Sequence, residues 1–248
     1  MAAFVRRRGV EANRIVTSSN WSPAGLSPQS GDAAAALRKA WGLDGKFVVA
    51  YSGNLGRVHA LVPLIHLARQ FKESPDFVFL FIGGGAQQRA LEHLTAQLQL
   101  THVQFRPPQP RAQLAETLAV ADVHCVTLRE DCASFVFPSK LYGIAAVGRP
   151  VLFVGPTESE VARLVTTRGF GLAFRPNDLT GLTEGLRALR HDHRRAQTMA
   201  QAAVDFSRRS GQLGQAAATW TDLLNRLKPL AVETPARHNP PHAHDDRS

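Results

Sequence analysis

The chain has 248 residues, 44% of them apolar, which suffices for one large domain or two small ones with a substantial core. Its formal charge of +9 favours phosphate-bearing ligands or an anionic membrane surface, but the basic residues are scattered and nowhere interleaved with aromatics, so nucleic acid is not expected as a partner. The two cysteines, Cys125 and Cys132, have no histidines at zinc-ligand spacing, so they read as small apolar side chains and no metal site is expected.

The start, MAAFVRRRGVEANR, lacks the apolar core of a signal peptide. No run approaches the roughly 20 apolar residues of a membrane span. A cytoplasmic chain is expected, with Arg6, Arg7 and Arg8 leaving room for peripheral contact at the inner face of a membrane. RIVTSSNWSPAGLSPQSGD, rich in Ser, Pro and Gly, reads as a linker. A short helix over 33–41 leads to a first strand over 47–52. The next helix, about 57–72, places Leu61, Ile65 and Ala68 on one face. The segment 77–82 is apolar at every position, the pattern of a strand buried on both faces. Gly83-Gly84-Gly85 then opens a helix carrying Leu91, Leu94 and Leu98.

A strand over 103–105 precedes a proline-rich turn, a helix over 111–120, a strand over 122–126 and a loop over 127–137. The run PSKLYGIAAVGRPVLF, 138–153, follows. Pro138 and Ser139 stand where a helix should start, and the helix is rich in small residues, ends at Gly148 and leads through Pro150 into a strand over 151–154. A helix opening of this kind presents unpaired N–H groups and the positive end of the helix dipole, which suits a phosphate, and Lys140 adds a charge there. An ordinary strand–helix–strand unit with a solvated lysine reads equally well. A helix over 158–167, a strand over 171–174, a helix capped by Asp178 and bearing Leu182, Leu186 and Leu189, and helices over 193–209 and 212–227 complete the pattern. The tail, 229–248, is rich in proline, histidine and charge and is expected to be disordered.

Alternating strands and helices predict an α/β fold, a doubly wound parallel sheet of Rossmann-like type. Ligands of such sheets bind beyond the carboxyl ends of the strands, at the switch point. Gly53-Asn54-Leu55-Gly56, Gly83-Gly84-Gly85 and the loop before Pro138 all fall at strand ends. Any one of them is only a tight turn; together they point to a nucleotide-type pocket.

The pieces AYSGNLG, FLFIGGGAQQRALEHL, VQFRPPQPRAQLAETLAVADVHCV, FPSKLYGIAAVGRPVLF, TESEVARLV, GFGLAF and RPNDLTGL, spread over about 14–227, resemble one known family. It is the C-terminal, donor-binding domain of GT-B glycosyltransferases of the retaining group called family four, in the branch that builds bacterial surface polysaccharides. The resemblance implies one half of a GT-B fold: an interdomain helix remnant and linker over 1–20, a nucleotide-sugar-binding domain over 21–228, and the tail. It implies a nucleotide-sugar donor, often UDP-linked, a saccharide or lipid-linked acceptor, and no metal or other cofactor. By the same resemblance Gly53, Asn54, Gly56, Ser139 and Lys140 would hold the donor diphosphate. Gly84, Gly85, Arg106 and Glu160 would border the nucleoside and sugar. For Arg106 a surface position, and for Glu160 simple complementarity to a helix N-terminus, serve as well.

The chain also departs from the family. Where many members carry two glutamates in an E-x7-E pattern, it has Phe135 and Gly143, with Glu130 or Asp131 as conceivable substitutes for the first. The usual arginine–lysine pair after the first strand is replaced by Asn54 and His59, the latter read as a surface histidine or a partial cation for phosphate. No catalytic residue is assigned. An N-terminal half would carry the acceptor site, and Phe4, Val5 and Val10 would have packed against it. A fragment, a subunit completed by a separate N-terminal polypeptide and a decayed copy all fit. The competing functions are half of a retaining hexosyl or N-acetylhexosaminyl transferase, a non-catalytic nucleotide-sugar-binding module, and, with no paired acid and base to support it, a sugar-nucleotide epimerase.

Overall fold

The computed structural model describes residues 1–28 and 31–227; the tail expected to be disordered lies outside them. Two helical pieces come first, α1 (Ala2–Arg7) and a 3-10 turn (Ala12–Arg14). After α2 (Gly31–Ala40) the chain alternates: β1 (Phe47–Ser52), α3 (Val62–Arg69), β2 (Phe77–Ile82), α4 (Gln88–Gln97), β3 (Val103–Arg106), α5 (Leu114–Ala119), β4 (Val123–Thr127), α6 (Lys140–Ala146), β5 (Val151–Val154), α7 (Glu160–Thr167) and β6 (Gly171–Phe174). Three helices close it, α8 (Leu179–His191), α9 (His193–Ser210) and α10 (Leu213–Arg226).

The six strands form one sheet in the order β3-β2-β1-β4-β5-β6, every pair parallel. Successive side chains alternate across it. Phe47, Val49 and Tyr51 of β1 and Phe77, Phe79 and Phe81 of β2 join a core with α3, α4 and α8. Val48, Ala50, Val78, Leu80 and Ile82 face the other way, toward Leu37, Trp41 and Val120. Farther along that face, Val126, Val151 and Phe153 pack with α6, α7 and α9. Both faces of β2 are therefore covered, as its unbroken apolar run predicts.

Two boundaries move for physical reasons. The helix expected from about residue 57 begins only at Val62, with Pro63 in its first turn, a position where a missing N–H costs nothing. Residues 57–61 form a loop instead, tied down by Gln87, whose Nε2 donates to the Gly56 and His59 carbonyls at 2.6 and 3.1 Å. Asp122 lies just before β4: its Oδ2 accepts from the Val48 N–H at 2.7 Å and from Arg38 at 3.2 Å, fastening the entry to β4 against β1.

Candidate functional site

β1 and β4 are neighbours, yet the chain leaves β1 toward β2 on one side and β4 toward β5 on the other. Connections that part in this way open a crevice at the strands' carboxyl ends. A cleft of about 750 Å³ lies there, within the size range of small-molecule sites, about 300–1,000 Å³. Ser52, Gly53, Asn54 and His59 line it after β1, Ile82, Gly83 and Gly84 after β2, and Pro108 and Gln109 after β3. Leu114, Thr117 and Leu118 of α5, residues 136–140 and Gly143 at α6, and Trp21 and Pro23 complete it.

The loops after β1 and β2 are laced together by backbone. Gly53 N–H donates to the Ile82 carbonyl and Leu55 N–H to the Gly84 carbonyl, both at 2.8 Å. Gly53 and Gly83 take φ of +129° and +140°, and a β-carbon on Gly83 would stand 2.0 Å from the Gly53 carbonyl oxygen. Only glycine permits that approach. Gly56 and Gly85 act one step back: β-carbons there would come within 2.8 and 2.5 Å of the Asn54 side chain, so their bareness makes room for Asn54 at the rim.

Lys140 opens α6 and reaches across the cleft floor. Its Nζ is buried, has no hydrogen-bond partner, and sits 3.7 Å from the centre of the Tyr51 ring. A β-carbon on Gly53 would lie 3.1 Å from it. Burial pushes the ammonium down to about 7. The Tyr51 hydroxyl is engaged with the Asn54 carbonyl at 2.9 Å, so it offers Lys140 only its ring face. A buried cation without a hydrogen-bonding partner is costly. Lys140 lines the cleft, where an anion would satisfy it. Ser52 and Thr117, which also line the cleft, bear buried hydroxyls that are likewise unpartnered.

The backbone at this helix opening contributes less than the sequence suggests. Leu141 and Tyr142 N–H groups already donate to the Pro138 and Ser139 carbonyls at 3.1 Å. Ser139, the N-cap, makes no side-chain capping bond and is exposed, so its hydroxyl is available to the cleft.

His59 is not the surface histidine expected. It is buried, with Nδ1 2.8 Å from the Thr127 carbonyl, and its ring meets Tyr51 edge-on. A carbonyl only accepts, so Nδ1 carries the proton and Nε2 is left as an acceptor. Burial first, and the Lys140 charge in addition, lower its pKa, while the bond to Thr127 works the other way. A neutral ring is the result, unsuited to act as a cation for phosphate. His124, deeper in β4, donates from Nε2 to the Leu118 carbonyl, 2.8 Å away, and burial pushes it down to about 4.

Gly53, Asn54, Ser139, Lys140 and Gly84 are thus brought together at the cleft, with Gly56 and Gly85 behind Asn54. Arg106 and Glu160 stand apart from it. The Arg106 guanidinium lies 5.5 Å over the Trp41 ring and donates to Gln104 at 3.3 Å. Glu160 borders a separate hollow with Ser19, Tyr142 and Arg163, which shares only Phe137 with the cleft. The two acids considered as substitutes are exposed and paired, Glu130 with Arg175 at 3.7 Å and Asp131 with Arg129 at 2.7 Å. Phe135 turns outward against Phe4, and Gly143 lies under Leu26, Leu118 and Pro23. Among the described residues that line the cleft there is no carboxylate.

A parallel sheet of this order, with a cleft at its switch point lined by glycine loops and Lys140, defines a Rossmann-like α/β unit. Residues 34–206 match the family model described as glycosyl transferases group 1, and the chain belongs to that family. WcaI of Escherichia coli (strain K12), provisionally named a colanic acid biosynthesis glycosyl transferase, is 31% identical over 183 residues, 73% of this chain and 45% of WcaI. WbjE of Pseudomonas aeruginosa, provisionally named a glycosyltransferase, is 30% identical over 138 residues, 56% of this chain and 34% of WbjE. Among solved structures, Anabaena Alr3699/HepE in complex with UDP-glucose superposes with a TM-score of 0.79 at 18% identity, covering 91% of this chain and 61% of that one. WaaG, a glycosyltransferase involved in lipopolysaccharide biosynthesis, gives 0.75 at 16%, covering 91% and 60%. The fold is the GT-B half that the resemblance implied. The chain spans less than half the length of the two curated relatives.

Proposed function

We propose that this chain is the donor-binding half of a retaining glycosyltransferase of hexosyl or N-acetylhexosaminyl type. It would pass a sugar from a nucleotide donor, UDP-linked, to a saccharide or lipid-linked acceptor in polysaccharide biosynthesis. The observation that carries this reading is Lys140: a buried ammonium with no hydrogen-bond partner, at the switch-point cleft of a family member. As the sugar leaves, negative charge gathers on the diphosphate, and a fixed cation in a partly dry cleft stabilises that charge more than water would. Asn54 and Ser139 supply neutral polar groups beside it, and no metal enters the proposal.

The cleft holds no carboxylate to act at the sugar, so the acceptor-side chemistry is assigned to a separate N-terminal half. Two apolar surfaces suit such a partner: Met1, Val5 and Phe135 near α1, and Leu213, Trp220, Leu224 and Leu227 along α10, all exposed. The same lack of a carboxylate favours a second reading, a module that holds the donor without catalysis. Arg6, Arg7 and Arg8 are proposed to rest against an anionic cytoplasmic membrane face; among the described residues no helix is long and apolar enough to cross a membrane.

Calorimetric titration with UDP, GDP and UDP-N-acetylglucosamine tests the donor site. UDP and its sugar are expected to bind, with or without EDTA, and Lys140→Ala to weaken both by about tenfold or more, the scale of losing a charge-assisted contact. A folded chain that binds none of them refutes the reading. Sugar transfer only after an N-terminal half is added separates the enzyme from the binding module.

A further inference from the structure

Trp21 has no part in the reading above, yet it forms part of the cleft wall while 42% of it stays open to solvent. A large ring left half-wet in the wall of a small-molecule-sized cleft is free to pack against whatever the cleft holds. Nor does it hang on a free linker. The neighbouring Ser22 N–H donates to the Gly211 carbonyl at 3.0 Å. Pro23 and Leu26 pack close to α6, 3.8 and 3.3 Å from where a β-carbon of Gly143 would stand. Gly143 lies three residues beyond Lys140, on the same face of the helix and about 4.5 Å along its axis. Lys140, Gly143 and Trp21 line one cleft, so a ligand with its diphosphate on Lys140 can extend past Gly143 to the wall that Trp21 forms.

We infer that Trp21 is the stacking wall for the nucleobase of the donor, a residue that selects nucleotides over bare diphosphate. This rests on the donor-site reading of the cleft. The chemistry asked of the ligand is a planar heteroaromatic ring, which an indole face binds whatever its edge pattern, so Trp21 sets affinity for a nucleoside without choosing the base.

The experiment compares wild type, Trp21→Ala and Trp21→Phe, each checked for folding by circular dichroism, in titrations with UDP, UDP-N-acetylglucosamine and pyrophosphate. Trp21→Ala is expected to lose about tenfold in affinity for UDP and for UDP-N-acetylglucosamine alike, the scale of one base–aromatic stack, and nothing for pyrophosphate. Trp21→Phe keeps most of the affinity. UDP is expected to quench tryptophan emission in wild type, and the quenching to disappear in Trp21→Phe although Trp41 and Trp220 remain. If Trp21→Ala does not fold, Trp21→Leu replaces it, keeping apolar bulk without a ring. Unchanged UDP affinity, a loss confined to the sugar nucleotide, or an equal loss for pyrophosphate each overturns the inference and leaves the donor site standing. A wild-type chain that binds no nucleotide removes both.

Discussion

Lys140 carries its charge to a place where the protein offers it only the ring face of Tyr51. A lysine whose folded pKa lies near 7, well below its unfolded value, is neutral in the free protein above that pH and must take up a proton to meet an anion. The affinity for UDP-N-acetylglucosamine, whose diphosphate stays ionised throughout, is therefore expected to be flat below pH 7. It should weaken as pH rises through 7 toward the higher pKa of the complex, by at most about tenfold per pH unit. Calorimetry in two buffers of different ionisation enthalpy should show net proton uptake at pH 8, and Lys140→Met should abolish it. The same linkage acts on stability. Because the unfolded chain holds a proton that the folded chain releases above pH 7, the stability of the wild type rises with pH from 7 to about 10. Lys140→Met removes the penalty, so it should melt higher than wild type at pH 7, by about 2–4 °C for each kcal/mol regained, while losing nucleotide binding. A lower melting temperature would mean that the contact with Tyr51 outweighs the cost of burial.

At the scale of elements, the cleft depends on how the loops after β1 and β2 meet. Gly83→Ala would place a β-carbon 2.0 Å from backbone, at φ +140°, whereas at Gly84 the nearest atom is the Gln88 side chain at 3.5 Å. The first substitution is expected to lower stability by about 3 kcal/mol or more, seen as a fall in the urea midpoint, and the second by less than about 1 kcal/mol. Equal effects would contradict the lacing described for these loops. The elements themselves were largely legible in the sequence: β1, β2, β5 and β6 fall on the predicted residues because their apolar runs suit strands covered on both faces. Lys140 and the glycine loops were legible as well. What local pattern could not supply was burial created by distant chain. Burial keeps His59 neutral while the Thr127 carbonyl of another strand fixes its tautomer, and Lys140 is desolvated against Tyr51 of β1. Trp21 sits in a segment whose Ser, Pro and Gly content reads as linker, although its backbone neighbour is bonded to Gly211. Arg106 ends a strand and Glu160 matches a family glutamate in sequence, yet Arg106 lies over Trp41 and Glu160 borders a separate hollow beside Tyr142.

As a whole molecule, the chain combines a well-buried sheet with apolar surface on helices at its edge. Leu213, Trp220, Leu224 and Leu227 are each more than half exposed, and their spacing sets them along one side of α10, whose only buried residue is Ala216. Surface of that kind marks an interaction site or a tendency to associate. The isolated chain is expected to self-associate with rising concentration in sedimentation experiments, and Leu224→Glu to relieve this with UDP binding intact. A wild-type chain that stays monomeric at high concentration would count against α10 as a partner surface. The proposed donor-binding half calls for that separation, a nucleotide at the switch point and a partner at α10. The central claim is that the Lys140 ammonium is the counter-charge of a nucleotide diphosphate. A crystal structure of the chain grown with UDP tests it most directly. The account predicts a phosphate oxygen within hydrogen-bond distance of Lys140 Nζ, beside Gly53; UDP bound elsewhere, or a Lys140 still facing only Tyr51, would contradict it.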